Sequence, residues 1–310
     1  MSTTRRQFIG ATASAVAASQ ISNLAADETA KRAVRPKPDS TDPVALIQLT
    51  DKIRCSRIGF GTGMRGSKRE SDLTRAGMEK ATDMLRFAYD NGVRLFDMAD
   101  LYGTHPFVTE ALKGKPRDSY TLISKIWVMG GGIPEAERPD ADVVVERFLK
   151  ECKTDYIDLI QLHCMFDEKW ATQWAGQMEK LTKLKEQGKI RAHGCSTHSN
   201  KAVQAAVDSG WADAVHVRIN SEGERMEGKP DDPNTVKNTV AVAEAAHNAG
   251  IGTIAIKVVG EGVFRDKPEL RKKSTAFVTN LPCIDVMVVG FTEKEHITEF
   301  IENVAAALKK

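Results

Sequence analysis

Four side chains of different chemistry stand at or just beyond the ends of apolar runs: an acid at Asp97, a phenol at Tyr102, an amine at Lys125 and an imidazole at His163. Asp97 closes Arg94-Leu95-Phe96, Lys125 follows Leu122-Ile123-Ser124, and His163 follows Asp158-Leu159-Ile160-Gln161-Leu162. A carboxylate or an ammonium at the end of a buried strand needs a partner of opposite charge, and Asp97 and Lys125 supply each other. A phenol ionises near about pH 10 and is a weak acid at neutrality, and an adjacent ammonium is expected to lower that value. The set therefore reads as a proton-transfer site. Tyr102 protonates a carbonyl oxygen as hydride reaches the carbon, Lys125 tunes the phenol, Asp97 holds Lys125 charged, and His163 orients or polarises the carbonyl.

These residues must be brought together by elements far apart in the chain. From about residue 50 onward, short apolar or β-branched runs alternate with longer amphipathic segments, the pattern of βα units with parallel strands. Strands are expected at Arg57–Phe60, Arg94–Phe96, Thr121–Ser124, Ile157–Leu162, Ile190–Cys195, Ala214–Ile219, Gly252–Ile256 and Asp285–Val289. Helical periods lie between them at Asp72–Asn91, Asp140–Lys153, Trp170–Gln187, Asn200–Ser209, Pro233–Asn248 and Glu293–Lys309. Several of these end on glycine, which suits a helix C-terminus. This repetition predicts a closed (β/α)8 TIM barrel, with the active site where strands end and loops begin. An open dinucleotide-binding sheet would carry Gly-x-Gly-x-x-Gly opening its first helix. Here Gly59-Phe60-Gly61-Thr62-Gly63 has other spacing, and no helical period starts there.

With the motifs placed on strands, the chain resembles the aldo-keto reductase family. Asp97 to Tyr102 is similar to its Asp-(x)4-Tyr signature, Ser124-Lys125-Ile126-Trp127 to its lysine motif, and Asp158 to His163 to its histidine motif. The resemblance implies NADP-dependent reduction of an aldehyde or ketone, or the reverse oxidation of an alcohol, with NAD as the alternative cofactor. It implies a cofactor seat from Gly61 and Thr62 after the first strand, Ser196 and Thr197 after the fifth, and His216 on the sixth. Lys257 and Gly260 would follow the seventh strand, and Gly290, Thr292 and His296 the eighth. Thr197 stands where relatives often carry an amide, and His216 where they often carry glutamine. Gly61-Thr62-Gly63-Met64 replaces a tryptophan common after the first strand, so a differently lined pocket is expected, shaped by Cys164, Met165, Phe166 and the loop 221–233. A nucleotide-binding sensor of the same fold is the alternative reading; the weakened cofactor positions favour it and the intact tetrad opposes it. A metal-dependent hydrolase using His163 and His198 fails on ligand spacing.

The remaining features bound the partners. Over 310 residues the formal net charge is +2, which gives no bias toward nucleic acid. The 5 cysteines show no Cys-x-x-Cys spacing, so neither a disulfide framework nor a metal site is expected. Thr4-Arg5-Arg6-Gln7-Phe8-Ile9 followed by an alanine-rich run resembles a twin-arginine (Tat) export signal over residues 1–26, too short and weakly apolar to span a bilayer. It predicts export to the periplasm without stable membrane insertion. Residues 27–45 read as a polar, proline-containing linker, and 46–310 as the barrel.

Overall fold

The computed structural model describes residues 33–34, 36, 40–230 and 232–309. The expected signal segment lies outside the described residues. The described chain opens on a hairpin, β1 (Leu46–Thr50) and β2 (Ile53–Ser56), paired antiparallel. Eight parallel strands then close a barrel: β3 (Ile58–Gly61), β4 (Leu95–Asp97), β5 (Thr121–Ile126), β6 (Ile157–Met165), β7 (Ile190–Thr197), β8 (Ala214–Arg218), β9 (Gly252–Ile256) and β10 (Val286–Val289), with β10 returning to β3. All eight expected strands are present. β6 and β7 run further than their apolar residues alone suggest, carrying His163 and Ser196 inside the barrel mouth rather than on loops.

Strand periodicity divides the core in two. Leu95, Ile123, Leu159, Ala192, Ala214, Ile254 and Val286 gather in one cluster with Ile47, Leu49, Ile53 and Cys55 of the hairpin. Their strand neighbours Phe96, Leu122, Ile160, Val215, Ala255 and Met287 join the helices in the other. Successive side chains of a strand point to opposite faces, so the first set fills the barrel and the second packs outward. The hairpin, which the sequence reading did not anticipate, closes the N-terminal end; Gly252 lets its backbone in, because a Cβ there would meet Leu49 O at 2.3 Å.

Two expected helices are each broken in two. The first consists of Asp72–Arg75 and Met78–Asp90, interrupted at Gly77, whose φ is 86°. The third consists of Trp170–Gln173 and Ala175–Glu186, with Trp174 between them. Two further helices, His105–Ala111 and Pro268–Asn280, went unpredicted. Each carries a proline in its first turn, where the missing N–H costs nothing. The first is tied down by a buried relay: His105 Nδ1 stands 2.6 Å from Glu151 Oε2, and His105 Nε2 2.7 Å from Ser124 Oγ. This has the order of a hydrolytic triad, but Ser124 is 0% exposed on the outer face of β5, so the relay ties helices to the barrel.

Gly194 shows how closely the strands approach. A Cβ at this position would stand 1.9 Å from Ala214 O on β8, and a backbone carbonyl in a parallel ladder has no room to retreat. Gly194→Ala should therefore destabilise the protein by about 3 kcal/mol, whereas an unstrained Gly→Ala change stabilises by roughly 0.4–1 kcal/mol. A thermal melt checks the sign: a lowered Tm is expected, and an unchanged or raised Tm contradicts the packing.

Candidate active site

The inward face of the barrel changes character within two residues. Moving one alternation along from the apolar layer, Leu95 gives way to Asp97, Ile123 to Lys125, Leu159 to Gln161 and then His163, and Ala214 to His216 and then Arg218. Parallel pairing sets Gly61 beside Asp97, Lys125 beside Gln161, and Ser196 beside His216. A polar layer thus lies directly on the hydrophobic filling at the C-terminal mouth.

Lys125, only 2% exposed, donates to both carboxylate oxygens of Asp97 at 2.6 and 2.7 Å and to Met98 O at 2.9 Å. All three ammonium hydrogens are thereby engaged, which a buried lysine requires. Burial works against the Asp97 charge, but Lys125 and His216 outweigh it and hold the carboxyl down at about 2. Tyr102 follows on a 3-10 turn, Asp100–Tyr102, and its hydroxyl lies 3.1 Å from His163 Nε2, the rings meeting edge to face. Trp127 meets the His163 ring edge-on in the same way. Burial, with Lys125 and His198 nearby, pushes the His163 pKa well below its usual value, so the imidazole is neutral.

The expectation that Lys125 lowers the phenol pKa does not hold. The ammonium is engaged by Asp97 and Met98 and stands over the ring, 5.3 Å from its centroid. Burial, and then the Asp97 charge, raise the Tyr102 pKa well above the usual phenol value, with Arg218 opposing. The phenol is therefore protonated at neutral pH. Glycines make room for it: a Cβ on Gly63 would lie 2.2 Å from the ring and one on Gly66 2.4 Å.

The residues assigned to a cofactor fall into two groups. Gly61, Lys257 and Gly290 line a cavity of about 100 Å³ with Tyr102. It shares Met64, Val259, Glu261, Gly262, Val289 and Gly290 with a larger cavity of about 420 Å³, which Thr292 and His296 also line. Together they form a groove from Tyr102 past the ends of β9 and β10 to Phe300 and Asn303. Gly290 keeps the groove narrow-walled and open, since a Cβ there would approach Met64 Sδ at 3.3 Å. Arg65, Arg225, Arg265 and Arg271 line its outer part. Arg65 is bound to Asp72 and Arg271 bidentately to Glu299, whereas Arg265 has no carboxylate partner among the described residues. An elongated groove with glycine walls and surplus cations fits a dinucleotide and its phosphates.

Several assigned residues, in the groove or away from it, also make contacts within the protein. Thr62 donates to Asp97 O at 2.8 Å and pairs with Thr104 at 2.7 Å. Thr197 donates to His216 O at 2.6 Å, so its hydroxyl hydrogen serves the β7–β8 junction. His216 is wholly buried, with Nε2 3.3 Å from Asp97 Oδ1 but without hydrogen-bond alignment, and belongs to the acid cluster. Ser196 is buried beside it on β7. Gly260 adopts φ +67° in a 3-10 turn against Phe264. Thr292 Oγ1 and His296 Nδ1 are 3.1 Å apart. Lys257 pairs with Glu261. Arg218 and Trp127 are the mouth residues to which the sequence reading assigned no role; each was legible as the residue two places beyond an inward-facing partner, His216 and Lys125. Among the described residues no group of three or more His, Cys, Asp or Glu side chains is placed to hold a metal ion, and no helix is long and apolar enough to cross a membrane.

Comparison with known proteins gives the same outline. The chain is 34% identical over 160 residues to the aldo-keto reductase YhdN of Bacillus subtilis (strain 168), covering 47% of this chain and 45% of that protein. It is 25% identical over 202 residues to the NADH-specific methylglyoxal reductase of Escherichia coli (strain K12), covering 58% and 60%. The chain spans about half the length of the curated relatives it matches first. Its fold is similar to that of an aldo/keto reductase from Klebsiella pneumoniae in complex with NADP and acetate, with TM-score 0.61 at 21% identity over 86% of this chain and 90% of that one. The sequence profile of the aldo/keto reductase family matches residues 57–309, and the chain therefore belongs to that family.

Proposed function

We propose that the chain reduces small aldehydes or ketones with a reduced nicotinamide dinucleotide and catalyses the reverse oxidation of the alcohol. The observation that carries this reading is the buried Asp97–Lys125 pair set directly beneath a protonated phenol and a neutral imidazole, at the inner end of a dinucleotide-shaped groove. When bound, the reduced nicotinamide supplies the hydride that becomes the new C–H bond. The protein's own residues supply the proton and hold the carbonyl.

His163 Nδ1 is buried without a partner, and a bare acceptor nitrogen is tolerated there better than an orphaned N–H. The favoured tautomer carries its hydrogen on Nε2 and donates it to Tyr102 Oη. The phenol hydrogen is then free to point into the cavity, where it bonds the carbonyl oxygen and passes to it as negative charge develops. As the proton leaves, the His163 Nε2–H bond to Tyr102 Oη takes up the charge left on the phenolate oxygen, while the Lys125 ammonium, engaged by Asp97, stands over the ring face 5.3 Å from its centroid. Asp97 keeps that cation in place. Gly61, Gly290 and the residues beyond β9 and β10 would hold the dinucleotide, with Arg265 free to meet a phosphate. The named relatives support both cofactors, since the Klebsiella protein binds NADP and the Escherichia coli one is NADH-specific. We further propose that residues 1–26 direct export through the twin-arginine route, on the strength of Arg5-Arg6 and the alanine-rich run after it.

Tyr102→Phe keeps the ring packing and removes the proton; kcat for aldehyde reduction should fall by about 10²–10⁴-fold, with NADPH still quenched or shifted in fluorescence on binding. An unchanged rate would remove Tyr102 as the acid. With Asp97 held at about 2, His163 lowered and Tyr102 raised, none of the three changes charge near neutrality. The reduction rate should accordingly be flat from about pH 6.5 to 9, and a steep inflection in that range traced to Tyr102 by its absence in Tyr102→Phe would contradict the assignment. For export, Arg5-Arg6 replaced by Lys-Lys should leave the protein in the cytoplasm on fractionation; equal periplasmic yield would count against the signal.

A further inference from the structure

β8 carries three inward residues in succession, Ala214 in the apolar layer, His216 beside Asp97 and Arg218 at the mouth. Arg218 is half-buried, yet no carboxylate among the described residues comes within 4 Å of it. Its Nη2 lies 2.7 Å from His198 Nδ1, its Nη1 donates to Arg225 O at 3.4 Å, and its Nε is buried with no partner at all. The histidine cannot serve as counter-ion. Burial and the guanidinium hold His198 down at about 3, and its other nitrogen faces Cys164 Sγ at 3.4 Å. Cys164 directly follows His163, so this cluster flanks the tetrad on its β6–β8 side.

The carboxylate acting on Arg218 from nearby among the described residues, Glu261, is already paired with Lys257 and lies 3.9 Å from Arg225. Three cations, Arg218, Lys257 and Arg225, thus share one carboxylate at the mouth, and Lys257 and Glu261 line the same cavity as Tyr102. A guanidinium with a buried, unpartnered N–H and no counter-ion is costly to maintain, and its planar fork matches a carboxylate. The cations facing the larger cavity are Arg65, Arg225, Arg265 and Arg271; Arg218 lines neither cavity directly, and stands within electrostatic reach of Tyr102 and Glu261, which line the inner one.

We infer that the carbonyl substrate carries a carboxylate, and that Arg218 receives it while the carbonyl rests against Tyr102 and His163. This rests on the reductase reading above and narrows its substrate class to short aldehydes or ketones bearing an acid. Lys257, which lines the cavity with Tyr102, adds to the attraction, and the neutral His198 fixes the guanidinium plane.

The test compares 4-oxobutanoate, its methyl ester and butanal as substrates, alongside NADPH titration by fluorescence, for the wild type, Arg218→Met and Arg218→Lys. The wild type should prefer 4-oxobutanoate over the ester in kcat/KM by about 10–100-fold, the range of one charge-assisted bond. In Arg218→Met that ratio should fall toward one through KM, while the NADPH Kd moves less than about threefold; Arg218→Lys should recover part of the ratio. Equal use of acid and ester by the wild type overturns this inference and leaves the reductase reading standing. A rise in NADPH Kd matching the rise in KM overturns it by assigning Arg218 to the cofactor. Turnover of none of the three with either reduced nicotinamide overturns both readings. Should Arg218→Met fail to fold, the wild-type ratio and Arg218→Lys still decide.

Discussion

A lysine ammonium and an aspartate carboxylate, both all but removed from water, face each other inside the barrel mouth at 2.6 Å. Much of the surrounding site can be understood as meeting their needs. Breaking such a pair by removing one partner costs about 3–5 kcal/mol, because the other charge is left stranded. Met98 O takes the third ammonium hydrogen, Thr62 fixes the Asp97 carbonyl, and His216 sits against the carboxylate from below. With the cation so anchored, it lies over the face of Tyr102 instead of beside the hydroxyl. The phenol consequently stays neutral at rest, its hydroxyl against His163.

The barrel makes this pair possible. Its inward residues form an apolar plug, sealed at one end by the β1–β2 hairpin, and the polar layer begins one alternation later. Close ladder contacts, such as Gly194 against Ala214 and Gly61 against the β10 end, fix the strands so that residues from β4, β5, β6 and β8 converge without any one loop having to place them. Asp97, Lys125 and His163 sit on rigid strands, Tyr102 on the 3-10 turn just beyond β4, and the groove proposed for a dinucleotide is built mainly from the loops after β9 and β10.

That division explains what the sequence revealed. Alternation and glycine-ended helices made the eight strands visible, and Asp97, Lys125 and His163 lay on strands where inward or outward facing follows from counting by two; Tyr102 is placed by the turn beyond β4. The hairpin was missed because no helical period separates its two strands, so it falls outside the βα repeat that marked the others. The helix His105–Ala111 was missed because 7 residues show little helical period, and Pro268–Asn280 because its buried face is mostly polar: Ser274, Thr275 and Thr279 beside Val278. At the cofactor positions residue type alone does not give a side chain's partners. Thr62, Thr197 and His216 carry suitable polar atoms but use them on Asp97 O, on a strand carbonyl and beside a carboxylate, partners that only three-dimensional packing reveals. The direction of the Tyr102 shift was missed for a related reason: a nearby ammonium lowers a phenol pKa only if its charge reaches the oxygen, and here Asp97 intercepts it.

The central claim is that Tyr102 is a neutral donor at working pH, and its ionisation can be observed directly. The chain contains 4 tyrosines, so Cζ-labelled tyrosine gives few NMR signals, and the one absent from Tyr102→Phe is assigned by difference. The account predicts that this signal holds its protonated shift up to at least about pH 10, the usual phenol value. A titration of that signal near neutrality would contradict it, and would mean that the site rests as a phenolate with nothing to give the carbonyl.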